Sequence, residues 1–411
     1  MERFDVIIIG AGPAGMMAAI RAAERNRRVL LIERNAAPGK KLLISGKGRC
    51  NLTNSCVLED FLGKFSKSRN FLRNAFARFF NTELISFFED ARLKLKVERG
   101  GRVFPISNRA GDILNVLRAK LKTKNIKLLS GVRAREVIVK DKKIKGILTY
   151  SRKQILATHV ALTTGGISYP RTGSTGDGYR IAEKLGHRII PLKPALCPIR
   201  IKERFIREWQ GISLKNVRIT VFAGGKKIDE RFGEMLFTHF GLSGPVVLDI
   251  SASVYDALQL KNGVAISINL KPALDHKKLD ARLLREFKAS PRKGIKNIFK
   301  NLLPQGIIKR FLEYCSINAD KSAGQVTAEE RKRLLKGLFD LRLTAEAVMP
   351  AEYGIVTRGG VNTKEINPKT MESRLIKGLF FAGEVIDIDG KSGGYNMQTA
   401  FSTGWVCGDN I

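Results

Sequence analysis

The residues with the clearest chemical purpose lie near the start of the chain, where Gly10, Ala11, Gly12, Pro13, Ala14 and Gly15 form GAGPAG. An unbroken β-rich run, Phe4 to Ile9, precedes them, as expected of a strand buried on both faces of a parallel sheet. Gly10 permits a tight turn, Gly12 lets backbone approach a pyrophosphate, and Gly15 lets the next helix pack closely on the strand. A helix over 13–24 then presents its N-terminal amides to the phosphates. A second strand, 28–32, leads into Glu33, whose carboxylate suits ribose hydroxyls. A lone glycine pattern is weak, but strand, helix and acidic residue agree here on a nucleotide. The acidic ribose partner fits FAD or NAD better than a cofactor with a ribose 2′-phosphate, and does not choose between those two.

Other chemistries find less support. Cys50, Cys56, Cys197, Cys315 and Cys407 are odd in number and form no CxxC, which argues for free thiols and against a flavin disulfide reductase. His159, His187, His239 and His276 are scattered, so no metal site is expected. The apolar stretch 4–20 contains Asp5 and is broken by glycines and Pro13, which excludes a membrane span or signal sequence there and makes the cytoplasm the expected compartment.

Four further segments narrow the choice of nucleotide. They are PGKKLLISGKGRCNLTN (38–54), LTTGGISYPRTGSTGDGYRIAEKLGH (162–187), MLFTHFGLSGPVVLDIS (235–251) and GLFFAGEVIDIDGKSGGYNMQTAFSTGWVCG (378–408). In this order, over essentially the whole chain, they resemble the HI0933-like flavoprotein family, also labelled NAD(P)/FAD-dependent or aminoacetone-oxidase-family enzymes. The resemblance implies an α/β fold: a two-dinucleotide-type, Rossmann-like FAD-binding domain with an inserted β-barrel and a small helical subdomain. The expected divisions are 1–190 for the first part of the FAD domain, 191–273 for the barrel, 274–346 for the helical subdomain and 347–411 for the return to the FAD domain.

The resemblance also implies cofactor contacts beyond Gly10, Gly12, Pro13, Ala14, Gly15 and Glu33. The loop residues Lys40, Lys41, Ser45, Gly46, Gly48, Arg49, Cys50 and Asn51 would lie against the ring and phosphates, although a buried, inert thiol is the simpler reading of Cys50. Val132 sits in a segment resembling one whose backbone contacts adenine. Gly165 and Gly166 would pass near the pyrophosphate. Gly383 with Glu384 or Asp387 would approach the ribityl chain. Gly393, Gly394, Tyr395 and Asn396 would start a helix aimed at the side of the flavin where negative charge accumulates on reduction. The expected activity is hydride transfer between a small organic substrate, or NAD(P)H, and flavin N5, with FAD supplying the redox chemistry. Tyr395, Lys391, Asp389 and His239 are the candidates for proton handling, with His239 read as a packed barrel residue. No second GxGxxG is present, so a nicotinamide donor would dock only transiently.

Charge raises one alternative of another class. The 411 residues hold 73 Lys+Arg against 38 Asp+Glu, a formal net charge of +35, which suits a polyanion such as RNA. Residues 191–350 carry a net +13 and the remaining 251 carry +22, so the two parts are similarly dense. Even spread favours a solvated basic surface over a dedicated nucleic-acid module. The Lys- and Leu-rich helical stretch, lacking an aromatic RNA-binding signature, reads as a lid or wall over the flavin. An FAD-containing RNA-modifying protein is the second functional expectation, and a module with purely structural FAD the third.

Overall fold

The computed structural model describes residues 3–65, 68–260 and 263–411. Two compact units emerge: 1–195 with 351–411, and 196–350.

The first unit is built on a seven-stranded sheet. Arg3–Ile9 lies at its centre, parallel to Val29–Glu33 on one side and to Gln154–Leu162 on the other. Val6, Ile7 and Ile8 have no exposed surface, as a strand flanked on both edges and covered on both faces requires. Ile126–Ser130 extends the parallel set beyond Val29–Glu33. Gln154–Leu162 changes neighbour along its length. Its first half pairs antiparallel with Lys143–Thr149, part of a hairpin with Ala134–Lys140, and its second half pairs parallel with Leu379–Phe381. A strand from near the end of the chain thus joins a sheet begun at residue 3.

The helices Pro13–Glu24 and Tyr395–Asn410 complete this union. A Cβ on Gly404 would lie 2.3 Å from the carbonyl oxygen of Ala14, and one on Gly408 would lie 2.4 Å from that of Ala18. The two glycines, one helical turn apart, therefore let the helix backbones touch. Around this seam Arg21 Nη2 reaches Asp409 at 2.8 Å, the Arg21 guanidinium stacks over Trp405, and Arg27 Nε donates to the Ile411 carbonyl at 2.8 Å.

The second unit contains a closed six-stranded barrel in the order Ile199–Ile201, Gly241–Ser243, Lys226–Phe237, Ser213–Ala223, Val264–Asn269 and Leu341–Val348, the last pairing back to the first. Two expected boundaries are corrected. Ile189–Ala195 pairs with Val356–Val361 inside the first unit, so the barrel unit starts at Leu196 rather than at 191. Leu341–Val348, placed by the sequence mostly in the helical stretch, is the strand that closes the barrel. Its alternation of buried Leu341, Leu343 and Ala345 with exposed Arg342, Thr344 and Glu346 is the period-two signature that should have marked it. The helices His276–Ala289, Gln305–Tyr314 and Ala328–Phe339 do form the expected helical stretch, the first and third capped by Asp275 and Thr327 side chains. Pro245–Gln259, within the barrel segment, is helical because Val246, Val247, Ile250 and Val254 recur at helical spacing and are buried in the unit's core.

Gly404→Ala tests the helix seam. In an open helix this change gains up to about 1 kcal/mol of propensity, but here the new methyl overlaps backbone, and overpacking of this kind typically costs about 1–3 kcal/mol. Thermal unfolding should show Gly404→Ala destabilised. Gly111→Ala, where a Cβ meets nothing within 4 Å, should be neutral or stabilised.

Candidate functional site

Three glycines of GAGPAG serve different ends. Gly10 has φ +106°, and its Cβ would fall 2.7 Å from the Thr163 carbonyl oxygen. A Cβ on Gly15 would overlap the Gly10 carbonyl. These two are required by the protein itself. Gly12 is not: its φ of −81° suits any residue, and a Cβ there meets nothing within 4 Å. Nothing in the protein demands glycine at this position, whereas a pyrophosphate lying against the helix start would. The helix beginning at Pro13 has no side-chain cap, which leaves its first-turn amides available to an anion.

Glu33 closes this end. Its Oε2 accepts from the Ala11 amide at 3.0 Å, and its Oε1 from the Asn35 amide and side chain at 2.9 and 2.7 Å. The carboxylate is thereby held rigidly beside the glycine turn, with lone pairs remaining for a ribose hydroxyl. Val132 donates its amide to the Glu33 carbonyl at 2.9 Å.

The loop after residue 38 is unusual in backbone. Gly46, Lys47, Gly48 and Cys50 all have positive φ, two of them without glycine's freedom. Lys40 and residues 43–48 are exposed, Ser45 excepted, which is half-buried and donates to the Leu42 carbonyl at 2.6 Å. Arg49 is held by its own fold. It stacks on Phe104, pairs with Glu98 and donates to Asn108 at 3.0 Å, fastening the loop to the hairpin Leu95–Glu98 and Arg102–Pro105. Cys50 is fully buried, and burial pushes its thiol up to about 12, so it is an inert core group. All five cysteines are free.

Asn51 links this loop to the far end of the chain. With its amide nitrogen donating to the Thr53 carbonyl at 3.1 Å, its oxygen accepts from the Gly394 amide at 3.0 Å. Gly394 has φ +99°, and its Cβ would overlap the Thr53 backbone. Asn396 closes the segment by accepting from the Gly390 amide and donating to its carbonyl, both at 2.8 Å. Asn54 Nδ2 reaches the Gly393 carbonyl at 3.2 Å. The helix starting at Tyr395 also lacks a side-chain cap.

Glu384 is a structural hub. Its Oε2 meets Lys41 Nζ at 2.6 Å, and its Oε1 accepts from Ser168 Oγ at 2.9 Å and the Thr357 amide at 2.8 Å. Lys41 also reaches Ser168 at 2.5 Å. Gly166 is glycine for this reason, since its Cβ would overlap Thr357 Oγ1 and the Glu384 carboxylate; Gly165, with φ +71°, faces Ser174. Gly383 in turn would touch Ala14 through a Cβ, which places the 383 turn against the start of the glycine-loop helix. Asp387 is half-buried, its amide bound to the Val361 carbonyl at 3.0 Å and its own carbonyl accepting from Ser68 at 3.0 Å.

The proton-handling candidates divide. Tyr395 is buried in an aromatic cluster, 4.7 Å from Phe61, and hydrogen-bonded to Cys56, whose thiol is raised by burial against that bond. Asp389 and Lys391 are half-buried on the segment before the helix. His239 is exposed on the turn between two barrel strands, against Phe240, which corrects its reading as a packed residue. It belongs to the second unit.

Sequence reasoning missed Ser168, Thr357, Thr53 and the glycine pair 404 and 408. Only the last had a readable signal, the four-residue spacing of small residues within an apolar helix. Among the described residues no group of three His, Cys, Asp or Glu could hold a metal, and no helix is long and apolar enough to cross a membrane.

Fold and site together define a nucleotide-binding α/β enzyme of the FAD-dependent oxidoreductase class. The chain belongs to the family described as HI0933-like protein Rossmann domain, whose model matches residues 4–410. It is 33% identical over 411 residues to a protein of Escherichia coli K12 named ribosomal RNA dihydrouridine synthase, covering 100% of this chain and 98% of the other. It is 30% identical over 403 residues to 3-dehydro-bile acid delta(4,6)-reductase of Clostridium scindens, covering 98% and 97%. Among solved structures it resembles 3-ketosteroid delta1-dehydrogenase from Sterolibacterium denitrificans, with TM-score 0.54, 14% identity and 99% of each chain covered, a likeness of fold.

Two glycine variants separate packing from cofactor binding. Gly12→Val should fold with unchanged circular dichroism but lose its FAD on gel filtration. Gly15→Val should fail to fold. A yellow, stoichiometrically loaded Gly12→Val protein would remove the pyrophosphate from this turn.

Proposed function

We propose that this chain is an FAD-dependent reductase of a conjugated carbon–carbon double bond, and that its substrate is a uracil base in structured RNA. The observation that carries the reading is the net charge of +35 on a chain that runs the full length of the Escherichia coli relative. The two relatives described above carry names that describe reduction across a carbon–carbon double bond, one in a base of ribosomal RNA and one in a steroid-like ring. A bile acid is a small anion and asks for a few cations, whereas 73 Lys+Arg suit a polyphosphate.

When bound, FAD supplies hydride exchange at its N5. The protein's part is to hold it and manage protons. Gly12 and the first amides of Pro13–Glu24 would receive the pyrophosphate, Glu33 the adenosine ribose, and the Val132 carbonyl the adenine. The uncapped start of Tyr395–Asn410 would face the pole of the ring that becomes negative on reduction. Glu384 acts through the backbone it fixes: clasped by Lys41, Ser168 and Thr357, it holds the 383 turn against Ala14. Reduction of uracil takes two electrons and two protons: hydride goes to one ring carbon and a proton to its neighbour. A reduced nicotinamide dinucleotide, docking transiently, supplies the electrons. Asp389 or Lys391 is the group to supply the proton, being half-buried beside the helix start.

Anaerobic titration tests this directly. NAD(P)H should bleach the flavin, and unmodified ribosomal RNA should restore its colour with dihydrouridine appearing in nucleoside mass spectrometry. Restoration by unsaturated bile acids but never by RNA would replace the RNA reading with the small-molecule one. A flavin that no reductant bleaches would make FAD structural.

A further inference from the structure

The similar charge density of the two parts of the chain conceals local concentrations, among them 277–300, with nine cations and two carboxylates, and one at an edge of the first unit's sheet. Between Gly131 and Lys153 stand eight cations and two carboxylates, a net +6 in 23 residues, about three times the mean density of the chain. This segment is the hairpin Ala134–Lys140 and Lys143–Thr149, and Ala134–Lys140 is an edge strand of the sheet. Building on the RNA reading above, we propose that this edge hairpin is the surface that tracks the RNA backbone.

At the tip, Lys140, Lys142, Lys143 and Lys145 are all exposed. Backbone pairing brings another chain segment to them: the Lys377 amide donates to the Lys142 carbonyl at 3.0 Å, the Ile144 amide donates to the Lys377 carbonyl at 3.2 Å, and Lys143 and Lys377 form a parallel bridge. Lys142, Lys143, Lys377 and Arg374 line a shallow, open depression there with Asp141 and Glu372. Glu372 is turned inward, accepting from the Gly378 amide at 2.8 Å. Among the described residues, none of these lysines forms an ion pair. The fold therefore gathers like charges without neutralising them, which costs stability unless an anion shares the surface.

At the other end of the hairpin the pattern repeats with arginine. Arg133 grips Asp177 in a two-point contact at 2.7 Å for each bond, and Arg34 and Arg180 share the same carboxylate at 3.4 Å. Three guanidiniums on one carboxylate leave two charges over. Burial opposes ionisation of Asp177, but the Arg133 hydrogen bond and the surrounding guanidiniums outweigh it and hold the carboxyl below its usual range. Tyr150, 45% exposed, stands among them, with Arg133 over its ring at 4.3 Å and Arg180 donating to its hydroxyl at 3.1 Å. An exposed aromatic ring between arginines offers an unpaired base a stacking face. The seven-residue strand joining the two ends spans roughly 20 Å, over which a nucleic-acid strand presents several phosphates.

The test compares two four-site variants of the full-length, FAD-loaded protein: Lys140→Gln, Lys142→Gln, Lys143→Gln and Lys145→Gln on the hairpin, and Lys288→Gln, Arg292→Gln, Lys293→Gln and Lys300→Gln on the second unit. The second set is equally exposed and equally unpaired among the described residues. Binding of a transcribed ribosomal RNA fragment is followed by fluorescence anisotropy across a salt series, with flavin content and circular dichroism reporting the fold. Each lost phosphate contact should make the salt slope shallower by about 0.7–0.9. The hairpin variant should bind at least about tenfold more weakly at fixed salt with a shallower slope, and the control should change less than about threefold. A hairpin variant that binds like the wild type, or two variants weakened equally, would overturn the hairpin assignment while leaving the RNA reading intact. Wild-type affinity no better than that of an unrelated protein of equal charge would overturn the RNA reading itself. Loss of binding to phosphatidylglycerol vesicles with RNA binding unchanged would assign the surface to a membrane and overturn the proposal.

Discussion

The contact on which the first unit depends is the backbone-to-backbone meeting of its first and last helices. A Cβ on Gly404 or Gly408 would overlap the backbone of Ala14 or Ala18, and one on Gly383 would push the preceding turn off Ala14. Because the glycine loop starts one helix and Gly390–Gly394 starts the other, this seam fixes both uncapped helix starts in a single body. Asn51 and Asn54 then tie the loop after residue 38 to the same place through Gly394 and Gly393. Segments from the two ends of the chain become one object by these few close approaches.

The glycine turn and the carboxylate beside it were legible in the sequence because their logic is local. A strand, a turn, a helix and a carboxylate at the next strand end are adjacent in the chain, and each residue's role follows from its neighbours. Glu33, Gly10 and Gly15 occur where such reasoning puts them. The C-terminal part was legible only through resemblance, since Gly383 and Gly394 acquire meaning from Ala14, Asn51 and Thr53, more than three hundred positions away. Glu384 shows the limit best. Its type and place suggested a cofactor contact, yet its carboxylate is taken by Lys41, Ser168 and Thr357, partners that no spacing rule connects to it. Arg49 likewise is held by Phe104 and Glu98, partners about fifty positions away. The barrel boundary was misplaced for a similar reason: Leu341–Val348 follows three helices in sequence but completes a sheet begun before them.

Charge followed a different course. Counted over large segments it was uninformative, and the balance favoured a merely solvated surface. Resolved on the fold, eight of the 73 cations stand on or beside one edge hairpin, next to the segment carrying Lys377 that its backbone holds there. Edge strands with exposed lysines also protect a sheet from pairing with another chain, so some of these cations serve the fold whatever they bind. The arginine cluster around Asp177 and Tyr150 goes beyond that need, because Arg34 and Arg180 lie outside the edge strand.

One FAD bridging the two ends of the chain would be felt at both when it binds. Hydrogen exchange on protein stripped of flavin and then reloaded measures this most directly. Reloading should slow amide exchange together at 10–15, 45–51 and 390–396. Protection confined to 10–15, with 390–396 exchanging as in the stripped protein, would contradict it.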